Sequence, residues 1–227
     1  EMKGFEPNDI RYYLGESKIE VHKPEYSKDN IYKIEDQGKI IVSDIDDTVL
    51  ISHATNKLKK IFTLIRYGAL QRQQVESMNE FFGKMSEKHG FIYLSNSEMN
   101  LYPLIKNFLN IYKFPKGPLF LREHMNIAQV VSKKYRSLEM KHHKIHTLSL
   151  LIRSFPNKKF ILVGDSGQKD PDIYKSIAKE FRNQIEKIFI REIPGKERHK
   201  KLEQIKIELQ ELGIELVLFK TGKNLLA

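Results

Sequence analysis

The chain has 227 residues, room for one α/β domain with a buried core and little space for a second. Its hydrophobic share of 40% and charged share of 30% are those of an ordinary soluble globular protein, and no run nears the roughly 18 consecutive apolar residues of a membrane span. The 39 Lys+Arg against 29 Asp+Glu give a formal net charge of +10, which favours anionic partners, and zero cysteines exclude disulfides, thiolate metal sites and cysteine nucleophiles.

Residues 1–38 are polar and tyrosine-rich, lack periodicity and contain Pro7 and Pro24. They are expected to form an N-terminal extension, an arm or a few short strands, packed on a core domain spanning 39–227. The chain opens at Glu1 rather than Met, which is compatible with a removed leader. Ile40-Ile41-Val42 is the first short apolar run, and it leads through Ser43 into Asp44-Ile45-Asp46-Asp47-Thr48. Residues 57–72 are basic and place Leu58, Ile61, Phe62 and Ile65 on one helical face, as in a small flap over a site or a lid that touches anionic membrane. Val75, Met78, Phe82 and Met85 form a helical stripe, with Gly90 as a stop. Phe91 to Leu94 is a second apolar run and leads into Ser95-Asn96-Ser97. Ile145, Leu148, Ile152 and Phe155 form the next stripe. His142 and His146 stand four apart beside it, but without a third ligand they read as surface histidines flanking Lys144 rather than a zinc site. Phe160 to Val163 leads into Gly164-Asp165-Ser166-Gly167-Gln168-Lys169-Asp170, followed by Pro171. Ile188 to Ile190, a stripe of Leu202, Ile205, Leu209 and Leu212 with Gly213 as its cap, and Leu216 to Phe219 complete the chain.

The runs are apolar throughout rather than alternating, as in strands covered on both faces, and they alternate with helices. The pattern predicts an α/β fold built on a doubly wound, Rossmann-like parallel sheet. Ligands of such sheets bind at the carboxyl ends of the strands, where three of the runs end in carboxylates, hydroxyls and glycines. Oxygen-rich clusters of this kind suit a hard cation such as Mg2+, shared with a substrate phosphate. Taken singly, Asp44 could be a turn residue, Asp170 an N-cap before Pro171, and Gly164-Asp165 or Ser166-Gly167 plain turn chemistry. Their joint occurrence at three strand ends favours a site.

Asp44 to Thr48 resembles the DxDxT first motif of haloacid dehalogenase-like phosphatases. Ser95, Lys144 and the segment from Gly164-Asp165 to Asp170 stand where that superfamily has its second, third and fourth motifs. Ser95-Asn96-Ser97, Leu101-Tyr102-Pro103, residues 114–119, His143-Lys144, Phe155-Pro156 and residues 160–174 are similar, more narrowly, to the actin-patch-associated phosphatidate phosphatases of fungi and their bacterial relatives. That similarity spans residues 40–192. The family commonly has Pro-Trp where this chain has Glu98-Met99, which bears on substrate contacts near Ser97 and not on phosphoryl chemistry.

The resemblance implies a magnesium-dependent phosphomonoesterase with a small flap and no large cap domain. It implies Asp44 as nucleophile, forming an aspartyl-phosphate, and Asp46 as general acid and then base. It implies Thr48 holding their loop, and Ser95, Asn96, Thr48 and Lys144 on the substrate side. The metal would sit on Asp44, Asp46 through its carbonyl, and Asp165, with Asp170 and Ser166 in support; Asp47 is given no role. The expected substrate is a lipid phosphate such as phosphatidate, handled by a soluble or peripheral-membrane protein whose compartment, the cytoplasm or one reached through a removed leader, the sequence leaves open. The alternatives are a soluble phosphorylated metabolite, a nucleic-acid phosphate end, or a non-catalytic module that binds an anion.

Overall fold

The computed structural model describes residues 32, 38–49, 75–122 and 133–226, with 133–141 as backbone. Among these residues one all-parallel sheet is formed by β1 (Ile40–Ser43), β2 (Gly90–Glu98), β3 (Leu119–Arg122), β4 (Phe160–Asp165), β5 (Ile185–Arg191) and β6 (Glu215–Phe219). The strand order is β3-β2-β1-β4-β5-β6. It runs outward in both directions from β1, so the sheet is doubly wound and its order reverses at the crevice between β1 and β4.

Strand residues point alternately to two helix layers. Ile40, Val42, Ile92, Leu94, Phe160 and Leu162 face a core built with α3 (Lys133–Ser154), α4 (Asp170–Glu180) and α5 (Lys196–Glu211). Ile41, Phe91, Tyr93, Ile161 and Val163 face a second core with α1 (Met78–Ser86), α2 (Tyr102–Ile111) and the short α6 (Lys223–Leu226). Cover on both faces is the reason the strands read as unbroken apolar runs. Leu212 caps α5, and Gly213 follows at φ 75°. The amide of Ile214 reaches the Leu209 carbonyl at 2.9 Å and that of Gly213 reaches Gln210 at 2.9 Å, a Schellman closure.

The α/β, doubly wound expectation holds, and no large cap is present among the described residues. Two elements differ from the sequence reading. β3 is an additional strand, and β2 continues to Glu98, so Ser95 to Ser97 lie within a strand and not beyond one. The basic segment 57–72 lies outside the described residues, and so does the expected 1–38 extension apart from Tyr32 and Gly38. No helix among the described residues is long and apolar enough to cross a membrane.

Candidate active site

Asp44 is the first residue past β1, and its amide donates to the Val163 carbonyl of β4 at 2.8 Å, which sets it at the sheet's switch point. The loop it opens is pinned by apolar anchors: Ile45 and Val49 are buried in the second core, and the Val49 amide closes on the Ile45 carbonyl at 3.0 Å. Asp44, Asp46 and Thr48 are therefore held between fixed points.

Lys144 arrives from α3, a hundred residues away, and is 1% exposed. Its ammonium donates to Asp44 Oδ1 at 2.8 Å and to Asp170 Oδ1 at 2.6 Å. Burial alone would lower its pKa; the Asp170 and Asp44 carboxylates outweigh this and raise it, so the side chain is a fixed cation. Asp170 lies in the first turn of α4, yet its carboxylate does not cap the helix: the second oxygen takes the Asp165 amide at 3.4 Å. Gly164 makes this approach possible, because a Cβ there would lie 2.5 Å from Asp170 Oδ2 and 2.8 Å from the Tyr174 ring.

Asp165 ends β4 and is fully buried. Its Oδ1 accepts the amides of Gly167 at 2.6 Å and Gln168 at 3.0 Å, while its Oδ2 is buried with no hydrogen-bond partner. Burial, and then the neighbouring Asp170, push its carboxyl up to about 7. Asp44 is raised as well, by burial first, with Lys144 opposing. Asp44, Asp165 and Asp170 each offer an oxygen, and these oxygens lie within 4.8 Å of one another. Three buried carboxylates face one ammonium. That deficit of positive charge, with one Asp165 oxygen buried and unpartnered, fits a divalent cation.

Asp46 points elsewhere. Its Oδ2 lies 3.1 Å from the hydroxyls of both Ser95 and Ser97, and those two hydroxyls are 2.7 Å apart. Burial raises its carboxyl, opposed by the hydrogen bond from Ser97, by Lys144 and by the bond from Ser95. Ser95, expected on the substrate side, thus joins a buried Asp46–Ser95–Ser97 group. Ser97 was not assigned from sequence; its two-residue spacing from Ser95 on one strand face was the available signal.

The Thr48 hydroxyl donates to Asp44 Oδ2 at 3.5 Å. Ser166 Oγ accepts the Ile193 amide at 2.7 Å and so ties the β4 loop to the segment after β5. Asn96 keeps a buried Oδ1 without a partner, and its carbonyl accepts Arg122 Nε at 3.3 Å. Glu98, which stands at the family's Pro, takes Arg122 Nη2 at 3.3 Å, and Met99 is exposed. His142 and His146 are exposed, as expected of surface histidines, whereas His143 between them is held neutral. Its pKa is pushed down to about 4 by burial and by Arg122 and Lys144.

Comparison with known proteins follows the same residues. The family described as phosphatidate phosphatase APP1, catalytic domain, matches residues 39–192. The phosphatidate phosphatase APP1 of Saccharomyces cerevisiae is 31% identical over 154 residues, 66% of this chain and 25% of that protein. An uncharacterized protein of Schizosaccharomyces pombe is 28% identical over 158 residues, 69% of this chain and 25% of its own length. The match thus spans about a quarter of the length of each relative.

Proposed function

The chain belongs to the family of the phosphatidate phosphatase APP1 catalytic domain, and from that premise we propose that it is a magnesium-dependent phosphomonoesterase that passes the phosphoryl group through Asp44, with phosphatidate as its substrate. The observation that carries the reading is the buried group at the switch point, where the Asp44 carboxylate is joined to Lys144 and clustered with Asp165 and Asp170.

Asp44 attacks phosphorus in line as the bond to the alcohol oxygen breaks, leaving an aspartyl-phosphate. Lys144, fixed beside the nucleophile as a cation, offsets charge on the transferring oxygens. Asp46 gives its proton to the departing oxygen, and burial favours the protonated form this step needs. The same carboxylate then takes a proton from the water that hydrolyses the aspartyl-phosphate, which restores Asp44. Ser95 and Ser97 hold Asp46 in place for both transfers. Asp44, Asp165 and Asp170 would hold the metal. When bound, magnesium supplies the positive charge that lets a phosphate approach a carboxylate.

The lipid substrate is supported by the name of the yeast relative and by the net charge of +10, which suits an anionic interface. Phosphate release from phosphatidate in detergent micelles tests the reading. Wild type is expected to turn over with magnesium and to stop in chelator. Asp44→Asn, a near-isostere that is no nucleophile, is expected to be inactive with an unchanged circular dichroism spectrum. Activity in chelator or in Asp44→Asn overturns the mechanism. Turnover of an aryl phosphate without phosphatidate moves the substrate to a soluble monoester and leaves the chemistry standing.

A further inference from the structure

Asp47 follows the general acid directly and sits in the left-handed region at φ 58°. For a residue other than glycine this costs on the order of 1–2 kcal/mol and needs support from its surroundings. Arg191, the last residue of β5, lies opposite Asp165 on one side and Phe219 on the other. Its Nη1 donates to the Asp47 carbonyl at 2.7 Å and its Nε to the Lys220 carbonyl at 3.1 Å. Its own carbonyl accepts the Ser166 amide at 2.9 Å. One side chain and its backbone thus tie together the loops after β1, β4 and β6 at the rim of the site. The left-handed step at Asp47 comes directly after Asp46, whose carboxylate turns to Ser95 and Ser97 while that of Asp44 turns to Lys144.

We propose that Arg191 is a positioning residue for proton transfer: by holding the Asp47 carbonyl it fixes the left-handed turn that aims the Asp46 carboxyl at the departing oxygen. This rests on the reading of Asp46 as general acid. Arg191 acts through the backbone, so its loss impairs protonation of the leaving group and spares attack by Asp44. A strut of merely structural value would impair both.

The two roles separate on kcat/KM, which reports steps only through the first phosphoryl transfer and excludes the later attack by water. A dinitrophenyl phosphate has a leaving group that needs no proton, whereas an alkyl phosphate needs one. For Arg191→Met, kcat/KM should fall roughly a hundredfold on the alkyl ester and stay within about threefold of wild type on the dinitrophenyl ester. Arg191→Lys keeps the charge but loses the fork that spans two carbonyls, and should fall about tenfold on the alkyl ester alone. It carries the comparison if Arg191→Met does not fold. Equal losses on both esters, or no loss on the alkyl ester, overturn the proposal. A wild type inactive on both esters and on phosphatidate micelles brings down the phosphatase reading itself, and this one with it.

Discussion

Asp165 divides its carboxylate between two tasks, one oxygen fixing the loop amides of Gly167 and Gln168 and the other buried without a partner. Its pKa, pushed up to about 7 from the ordinary 3.8, links the site to stability. Below pH 4 both folded and unfolded chains are protonated there. Between about 4 and about 7 the unfolded chain has lost its proton while the folded one keeps it, so stability falls as pH rises through this window. Magnesium bound as proposed would compete with that proton. It should therefore raise the melting temperature at pH 8 well above its effect at pH 5, and Asp165→Asn should flatten the slope measured in chelator. Thermal unfolding at both pH values, with and without the metal, checks this; an equal metal effect at both would count against Asp165 as a ligand. Asp44 and Asp165 were legible in the sequence because each closes a buried run, whereas Asp46 and Asp170 lie in the loop and the helix that follow. Lys144 was legible only through the family resemblance, because a lysine beside the Ile145, Leu148 and Ile152 stripe reads as a surface residue until the fold buries it against Asp44 and Asp170. Ser97 and Arg191 were not legible, because a strand hydroxyl and a terminal arginine are common and only the fold shows what they face.

Among the elements, strands covered on both faces were the clearest in the sequence, since Ile40 to Val42 and Phe160 to Val163 are buried without interruption. β3 escaped notice because its four residues, Leu119 to Arg122, include two that are only half-buried and end in a charge. The ends of α2 and α5 show how far local chemistry can be read. At α5, Gly213 announces its left-handed cap. α2 closes in the same manner, with the Phe114 amide on the Leu109 carbonyl at 2.9 Å and the Lys113 amide on Asn110 at 3.1 Å, but Lys113 holds the left-handed position at φ 57°. Nothing in the sequence marks a lysine for that role. Relief of the Cβ clash outweighs glycine's extra entropy in the unfolded chain, so Lys113→Gly should stabilise the protein by about 1 kcal/mol. The reverse change, Gly213→Lys, should destabilise it by a similar amount. Urea unfolding of the two variants measures both, and a loss of stability in Lys113→Gly would mean that the Lys113 side chain contributes more than its backbone costs.

At the scale of the whole molecule, topology brings Asp44, Lys144, Asp165 and Asp170 into one buried group with the Asp46, Ser95 and Ser97 group beside it, and strand-helix alternation was sufficient to expect the strand-end residues there, though not Lys144. Charge is a different kind of whole-molecule property: +10 spread over 227 residues specifies a field and no particular contact. It nevertheless makes a prediction about a lipid substrate that differs from one about the buried chemistry. Basic side chains close to an anionic bilayer contribute about 1 kcal/mol each, and salt screens them over a distance of about 10 Å at 0.1 M and about 3 Å at 1 M. Sedimentation with vesicles containing phosphatidate should therefore weaken more than tenfold between about 0.05 and about 0.5 M salt, with little binding to neutral vesicles at either. Turnover of a small aryl phosphate should change much less over the same range, because the Lys144 and carboxylate cluster is buried and poorly screened. If turnover of phosphatidate vesicles tracked that of the aryl phosphate across the salt range, surface charge would have no part in reaching the lipid. Equal binding to neutral and anionic vesicles would instead assign membrane contact to apolar side chains.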